Sequence, residues 1–171
     1  MFETRFESPL GMIEIITDKG RLLFCNWLHE DCKRKMGKIL ARLEKNESPQ
    51  DREVALMTIE QLGSYFEGSL REFNLPLRAE GTEFQKQVWN AILKINYADT
   101  VSYKELGVLC GHEKAIRAVA NACGANPISL IIPCHRITAA DGNPGGYTGG
   151  PEKKEWLLRH EKNFHNYFAG Y

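Results

Sequence analysis

The sequence predicts an α+β chain. A small antiparallel β-sheet with helices occupies residues 1–80, and a mostly helical half with a helix-turn-helix occupies residues 81–171. Three observations predict this. Short β-leaning segments separated by turn residues crowd the first 27 positions. The stretch Asn-Leu-Pro-Leu-Arg-Ala-Glu-Gly at residues 74–81 reads as a linker, after which the character of the chain changes. Beyond it come two capping signatures and a pair of helices broken by a glycine.

Residues 3–6 and 12–17 are β-leaning and are separated by the turn signal Ser8-Pro9-Leu10-Gly11. Residues 21–27 form a third such segment after Asp18-Lys19-Gly20. Residues 31–43 have helical periodicity, with Met36, Leu40 and Leu43 on one side, many lysines and arginines on the other, and Gly37 interrupting the pattern. Residues 53–66 predict a second amphipathic helix, ended by Gly68. After the linker, Thr82-Glu83-Phe84-Gln85 is a capping box opening a helix with Phe84, Val88, Ile92 and Ile95 on one face. Ser102-Tyr103-Lys104-Glu105 is a second box, opening a short helix through Leu109. Gly111 breaks the chain, and residues 113–123 resume as an alanine-rich helix ended by Gly124. Helix, glycine turn and helix give the outline of a helix-turn-helix, an outline that many paired helices share. Residues 128–132 predict a buried strand stopped by Pro133. A glycine-rich loop covers residues 141–150, and Pro151 suits the first turn of a last helix over 152–161.

Hydrophobic residues make up 43% of the 171-residue chain, which supports a packed core and excludes general disorder. The formal net charge is zero, so no global basic field announces a polyanionic partner. Residues 1–80 hold 12 basic and 14 acidic side chains, residues 81–171 hold 10 and 8, so the second half is the better anion binder. The N-terminus lacks a basic and apolar leader, and no apolar run reaches membrane-spanning length, which points to a cytoplasmic protein with no membrane partner. Five cysteines, an odd number, favour free thiols in a reducing compartment.

The chemistry concentrates at Pro133-Cys134-His135-Arg136, directly after the apolar segment. A thiol becomes a nucleophile as its thiolate, from an ordinary pKa of about 8.5. A neighbouring imidazole can take the proton and a carboxylate can orient that imidazole, with His135 and Glu161 as candidates. Strand geometry would point the side chains of residues 134 and 135 to opposite faces, whereas an irregular turn would let a water bridge them. A lone cysteine is often just a small buried hydrophobe; the flanking proline, histidine and arginine make this one a candidate reactive thiol. Cys110 and Cys123 read as packing residues. Cys25, His29 and Cys32 have ligand-like spacing, but structural zinc takes four ligands and no fourth lies nearby, so no metal is expected.

Ile132-Pro133-Cys134-His135-Arg136-Ile137 resembles the signature of the O6-alkylguanine-DNA alkyltransferases, the methylated-DNA–protein-cysteine methyltransferases, in their bacterial branch. Further blocks are similar in order and spacing: 100–103, 115–119, Asn126-Pro127, 146–150 and 154–161. The resemblance covers residues 82–163 almost throughout, and the first half in length and layout only. It implies a ribonuclease H-like layout for the N-terminal part and DNA repair by irreversible, single-turnover transfer of the alkyl group of O6-methylguanine, with O4-methylthymine as a further substrate. It implies no cofactor. It places Cys134 as acceptor, His135 as base through a water, Glu161 orienting His135, Asn126 beside the thiol, and Tyr103 as donor to the leaving guanine. Arg117 would fill the gap left by the flipped nucleotide. Ala115, Ala118, Ala122, Tyr103 and Arg136 would meet DNA through the minor groove. Tyr147, Thr148, Gly149, Lys154 and Ser129 would line the base pocket. The partner would be duplex DNA carrying the lesion, and a monomer suffices. Two rival readings of the same residues are a thiol hydrolase using Cys134 and His135, and a lesion-binding module that leaves Cys134 unmodified.

Overall fold

The structure, a computed structural model, describes residues 1–28, 30–43, 47–140 and 145–169. The chain folds as two compact units, Met1–Glu80 and Gly81–Tyr171.

The first unit is a meander of three antiparallel strands, β1 (Phe2–Ser8), β2 (Gly11–Asp18) and β3 (Arg21–Trp27), in that spatial order. Gly11 at φ 104° and the Lys19-Gly20 pair at φ 52° and 68° make the two tight turns. Residues 13–18 of β2 are buried throughout rather than alternately, because both faces are covered. Helix α2 (Pro49–Phe66) lies along the face carrying Phe6 and Thr17. Phe66 stacks on Phe6 at 6.1 Å, and Thr17 Oγ1 donates to the Asp51 carbonyl at 2.7 Å. Helix α1 (Glu30–Leu40) places Cys32 against Ile16 and Phe24, with Met36, Ile39 and Leu40 beside them. Gly37 does not break α1. The outer edge of β3 is met by residues 76–78, where Leu22 N donates to Pro76 O at 2.8 Å and Arg78 N to Leu22 O at 2.9 Å.

Both capping boxes form in the second unit. Thr82 and Gln85 exchange hydrogen bonds at 3.2 and 2.9 Å to open α3 (Glu83–Ile92). Ser102 and Glu105 do so at 3.2 and 2.6 Å to open α4 (Tyr103–Leu109). Gly111, at φ 75°, turns the chain from α4 into α5 (Ile116–Gly124). A Cβ on Gly107 would come within 2.8 Å of Ile116 Cδ1, so glycine there lets the two helices close on each other. Trp89 of α3, 2% exposed, donates from Nε1 to the Ala122 carbonyl of α5 at 2.9 Å. A last helix, α6 (Pro151–Ala169), runs past the expected end at Glu161.

Two further sequence expectations change here. Helix α5 begins at Ile116 rather than Glu113, because His112 to Ala115 form a turn closed by Ala115 N donating to His112 O. Residues 128–132 are buried but are not a strand. Asn126 Oδ1 accepts from Ile128 N, Leu130 takes φ 72°, and Ile132 N reaches back to Ile128 O. The Asn side chain supplies a local partner that favours a turn over an extended ladder, and a short apolar run is compatible with either. The turn leads into a 3-10 turn at Cys134–Arg136 and then β5 (Ile137–Thr138), which pairs in parallel with β4 (Val101–Ser102). Because β4 runs directly into α4, this pairing holds the N-terminus of α4 beside the segment that follows Cys134.

Trp89→Phe removes the bond to Ala122 O while keeping most of the aromatic volume. The expected loss is about 1–3 kcal/mol, read as a lower urea midpoint with unchanged slope; an unchanged midpoint would show that the α3–α5 bond contributes nothing.

Candidate active site

The site is built on the 3-10 turn after Pro133. Cys134 is 5% exposed, and Asn126 Nδ2 donates to its Sγ at 3.2 Å and to Ile132 O at 2.8 Å. Asn126 therefore uses both ends of its amide: the oxygen caps Ile128, and the nitrogen ties the thiol to the buried turn.

His135 and Glu161 are fully buried and face each other, with His135 Nε2 2.7 Å from Glu161 Oε1. Arg136 closes on the same carboxylate, its Nε 3.0 Å from Oε2 and its Nη2 3.0 Å from Oε1, while Nη1 donates to Ile95 O at 2.7 Å. The backbone N–H of Ala98, at φ 65°, donates to Glu161 Oε2 at 3.0 Å. Burial by itself would push Glu161 up; hydrogen bonding from His135 and the Arg136 guanidinium outweigh it and hold the carboxyl well below its usual range. Burial pushes His135 down, and the positive charges of Arg136 and Lys154 add to this against the pull of Glu161. The ring is then neutral at pH 7, donates through Nε2–H to the carboxylate, and keeps Nδ1 as a base. Nδ1 is buried and has no partner among the described protein atoms.

Tyr103, at the start of α4, donates to Gly146 O at 3.4 Å. Burial raises its phenol, with the sulfurs of Cys123 and Cys134 close enough to add, so it stays protonated and able to donate. Lys154 is completely buried. Its ammonium bonds to the Ile137 carbonyl and, at 3.4 Å, to that of Gly146, and lies 5.9 Å from the centre of the Tyr103 ring. Burial lowers Lys154, while Cys134 and Cys123 pull it back up. Tyr147 meets the His135 ring edge-on at 6.4 Å, and Thr148 Oγ1 donates to Gly124 O at 3.2 Å. Gly149 continues this half-buried wall. Ser129 is 1% exposed, and its hydroxyl has no partner among the described protein atoms. Residues 141–144 of the expected loop lie outside the described residues.

On α5, Val119, Ala122 and Cys123 face inward, while Arg117 and Ala118 are exposed and Ala115 is half-exposed at the helix start. Two residues expected to meet DNA do not reach the surface. Ala122 is 2% exposed and packs under α3. Arg136 is 7% exposed, with its guanidinium committed to Glu161 and Ile95. Its work is to neutralise a buried carboxylate. Asn121 escaped the sequence reading. It is exposed, lies one turn on from Arg117 and Ala118, and could have been found from helical spacing alone. The Ile95 carbonyl and Ala98 N–H are backbone groups with no side-chain signal. Cys25 and Cys32 are buried in the first unit, and His29 lies outside the described residues. Among the described residues no group of three His, Cys, Asp or Glu could hold a metal, and no helix is long and apolar enough to cross a membrane.

Known proteins match along most of the chain. Residues 83–163 match the family model described as 6-O-methylguanine DNA methyltransferase, DNA binding domain, and residues 1–79 match its ribonuclease-like domain. A Methanosarcina acetivorans methylated-DNA–protein-cysteine methyltransferase is 39% identical over 161 residues, covering 94% of this chain and 98% of that protein. One from Haemophilus influenzae is 37% identical, covering 95% and 87%. The crystal structure of Mycobacterium tuberculosis O6-methylguanine methyltransferase superposes with a TM-score of 0.77 at 35% identity, covering 94% of this chain and 92% of that one. A crystal structure of the M. tuberculosis OGT in complex with DNA also gives 0.77, at 34% identity, with the same coverage.

The buried pair fixes how stability follows pH. A histidine lowered from 6.5 binds fewer protons in the folded state below that pH, and a carboxyl lowered from 4.5 does the same below its own value. Stability is therefore full above about pH 7, falls as pH drops below 6.5, and falls again below 4.5. Urea midpoints measured from pH 8 to 4 check this. In His135→Gln the loss between pH 6.5 and 5 should shrink; an unchanged profile would mean that His135 titrates normally.

Proposed function

The chain belongs to the 6-O-methylguanine DNA methyltransferase family, and we propose that it repairs duplex DNA by moving the alkyl group of O6-methylguanine irreversibly onto Cys134. The observation that carries the choice of thiol is the 3.2 Å hydrogen bond from Asn126 to Cys134 Sγ on the turn that also bears the His135–Glu161 pair. Of the five cysteines, only Cys134 is followed directly by a histidine paired to a carboxylate.

The target oxygen lies inside the base stack, so the nucleotide leaves the duplex, at a cost of a few kcal/mol that is smaller for a poorly paired alkylated base. His135 Nδ1 takes the Cys134 proton through a water, and Glu161 steadies the imidazolium that results. The Asn126 N–H and the Lys154 charge favour the thiolate. Sulfur attacks the methyl carbon in line, an S–C bond forms and the C–O bond breaks. Tyr103 donates a hydrogen bond to the guanine oxygen as negative charge develops on it, and the proton first taken from Cys134 is returned to complete the restored base. The thioether has no easy reverse, so each molecule acts once. Tyr147, Thr148, Gly149 and Ser129 wall the flipped base. The outward face of α5 enters the minor groove, with Ala118 allowing close approach, Arg117 filling the vacated stack and Asn121 within reach of base edges. The degenerate pattern of that groove suits a protein that must work in any sequence. A monomer is sufficient, and O4-methylthymine is a second substrate of the same geometry.

Incubation with a duplex containing O6-methylguanine, followed by tandem mass spectrometry, should place one methyl group on Cys134. Trypsin leaves Cys123 and Cys134 on one peptide, so fragment ions must separate them. A methyl group on Cys123, whose thiol burial pushes up to about 12, or no transfer at all, would overturn the reading. Repeated turnover would favour a thiol hydrolase. Cys134→Ala should abolish transfer and leave duplex binding within about twofold. Arg117→Ala should slow repair of duplex about tenfold or more, the scale of an interaction worth about 1.4 kcal/mol, and leave reaction with free O6-methylguanine unchanged; equal loss on both would remove its role in flipping.

A further inference from the structure

The first unit carries a charge distribution that the transfer reaction does not use. Residues 30–43 hold five Lys or Arg and two Asp or Glu. The other 66 residues of that unit hold seven and twelve. A cationic segment is thus set into an otherwise acidic body. Helix α1 is sided. Cys32, Met36, Ile39 and Leu40, with Leu43 beyond it, pack toward Ile16 and Phe24, while Lys33, Arg34, Lys38 and, just past its end, Arg42 are exposed. Arg34 and Lys38 are four residues apart, about 6 Å along a helix at about 1.5 Å per residue. DNA carries one phosphate charge per about 1.7 Å of helix axis, so cations spaced this closely along α1 meet a dense line of charge on a duplex backbone.

We infer that the exposed basic face of α1, formed by Lys33, Arg34, Lys38 and Arg42, binds the phosphate backbone of undamaged duplex DNA. A charge run on a helix is ordinarily a solvated face. Here the segregation of charge and the known class of partner favour more. A repair protein must sample long stretches of intact DNA, and that sequence-independent affinity comes from cations displacing counterions. The second unit's charge is nearly balanced, 10 basic against 8 acidic residues, so a concentrated cationic face on α1 adds to its contribution. The inference needs the chain to bind DNA. It does not need Cys134 to be the acceptor.

The test is binding to a lesion-free duplex of about 20 base pairs across a range of salt concentrations, using the full chain. The variant combines Lys33→Gln, Arg34→Gln, Lys38→Gln and Arg42→Gln. Its plot of log affinity against log salt should flatten by about 0.9 for each phosphate that is no longer neutralised, at least two phosphates in all, with affinity at low salt down about tenfold or more. A matched variant, Lys19→Gln with Arg21→Gln and Arg71→Gln, should keep the wild-type slope. Methyl uptake from free O6-methylguanine, together with the urea midpoint, should match wild type in both variants, which shows that each is folded. A folded α1 variant with an unchanged slope, or the same flattening in the matched variant, overturns the inference. Failure of methyl transfer with a flattened slope would count against the Cys134 assignment and leave this one standing.

Discussion

The second unit is organised around one buried carboxylate. Glu161 sits near the middle of α6 with no exposed surface, and an ion taken out of water costs several kcal/mol unless its lone pairs are filled. They are filled from three places: His135 and Arg136 on the turn after Pro133, and the backbone of Ala98. Each donor imposes a condition. Ala98 must adopt positive φ, which costs a non-glycine residue about 1 kcal/mol or more. Arg136 must give up the surface. His135 must present Nε2 inward, which leaves Nδ1 as the basic nitrogen. The tautomer that the proposed mechanism needs is therefore a by-product of solvating Glu161.

The two buried thiols of this unit show what else is required. Cys123 and Cys134 are 5% exposed each, and burial of that degree makes a thiol inert by disfavouring its charged form. In Cys123 burial prevails, with Cys134 adding repulsion and the Lys154 charge opposing it only in part. Cys134 differs in its polar surroundings, not in its exposure: it has an amide N–H on sulfur and a histidine one residue on, whereas the Lys154 ammonium is within electrostatic range of both thiols. Lys154 belongs to that setting because its hydrogen bonds go to backbone carbonyls. These solvate the ammonium without cancelling its charge, so its field remains available to a developing thiolate.

Local features were legible in the sequence; features created by distant packing were not. The capping boxes at Thr82 and Ser102 depend on residues three apart and formed as read. The helix-turn-helix was visible for the same reason, with Gly111 marking the turn. Residues 128–132 were read as buried, correctly, and as a strand, incorrectly, since an apolar run records burial but not the Asn126 amide that turns the chain. Arg136 and Ala122 were placed at the DNA surface because residue type and neighbourhood in sequence suggest it; their burial depends on Glu161 and on Trp89, 25 and 33 positions away. Glu161 is a candidate partner of His135 from the chemistry of a thiol, an imidazole and a carboxylate, and the family resemblance strengthens that choice, since no local pattern links positions 26 apart.

A chain of zero net charge that works on a polyanion has to separate its charges in space, because the field that attracts DNA depends on local concentration rather than on the sum. The active-site unit cannot concentrate them freely. Every cation near Cys134 alters the thiol and the imidazole, and Arg136 and Lys154 are already committed there to buried acceptors. The groove entry proposed for α5 also calls for small side chains such as Ala118, where a dense row of lysines would hold the helix away from the bases. Cations for long-range attraction are better placed on a surface that performs no chemistry. Helix α1 is such a surface: its inner side is fixed by packing on β2 and β3, and its outer side can vary in charge without disturbing that packing.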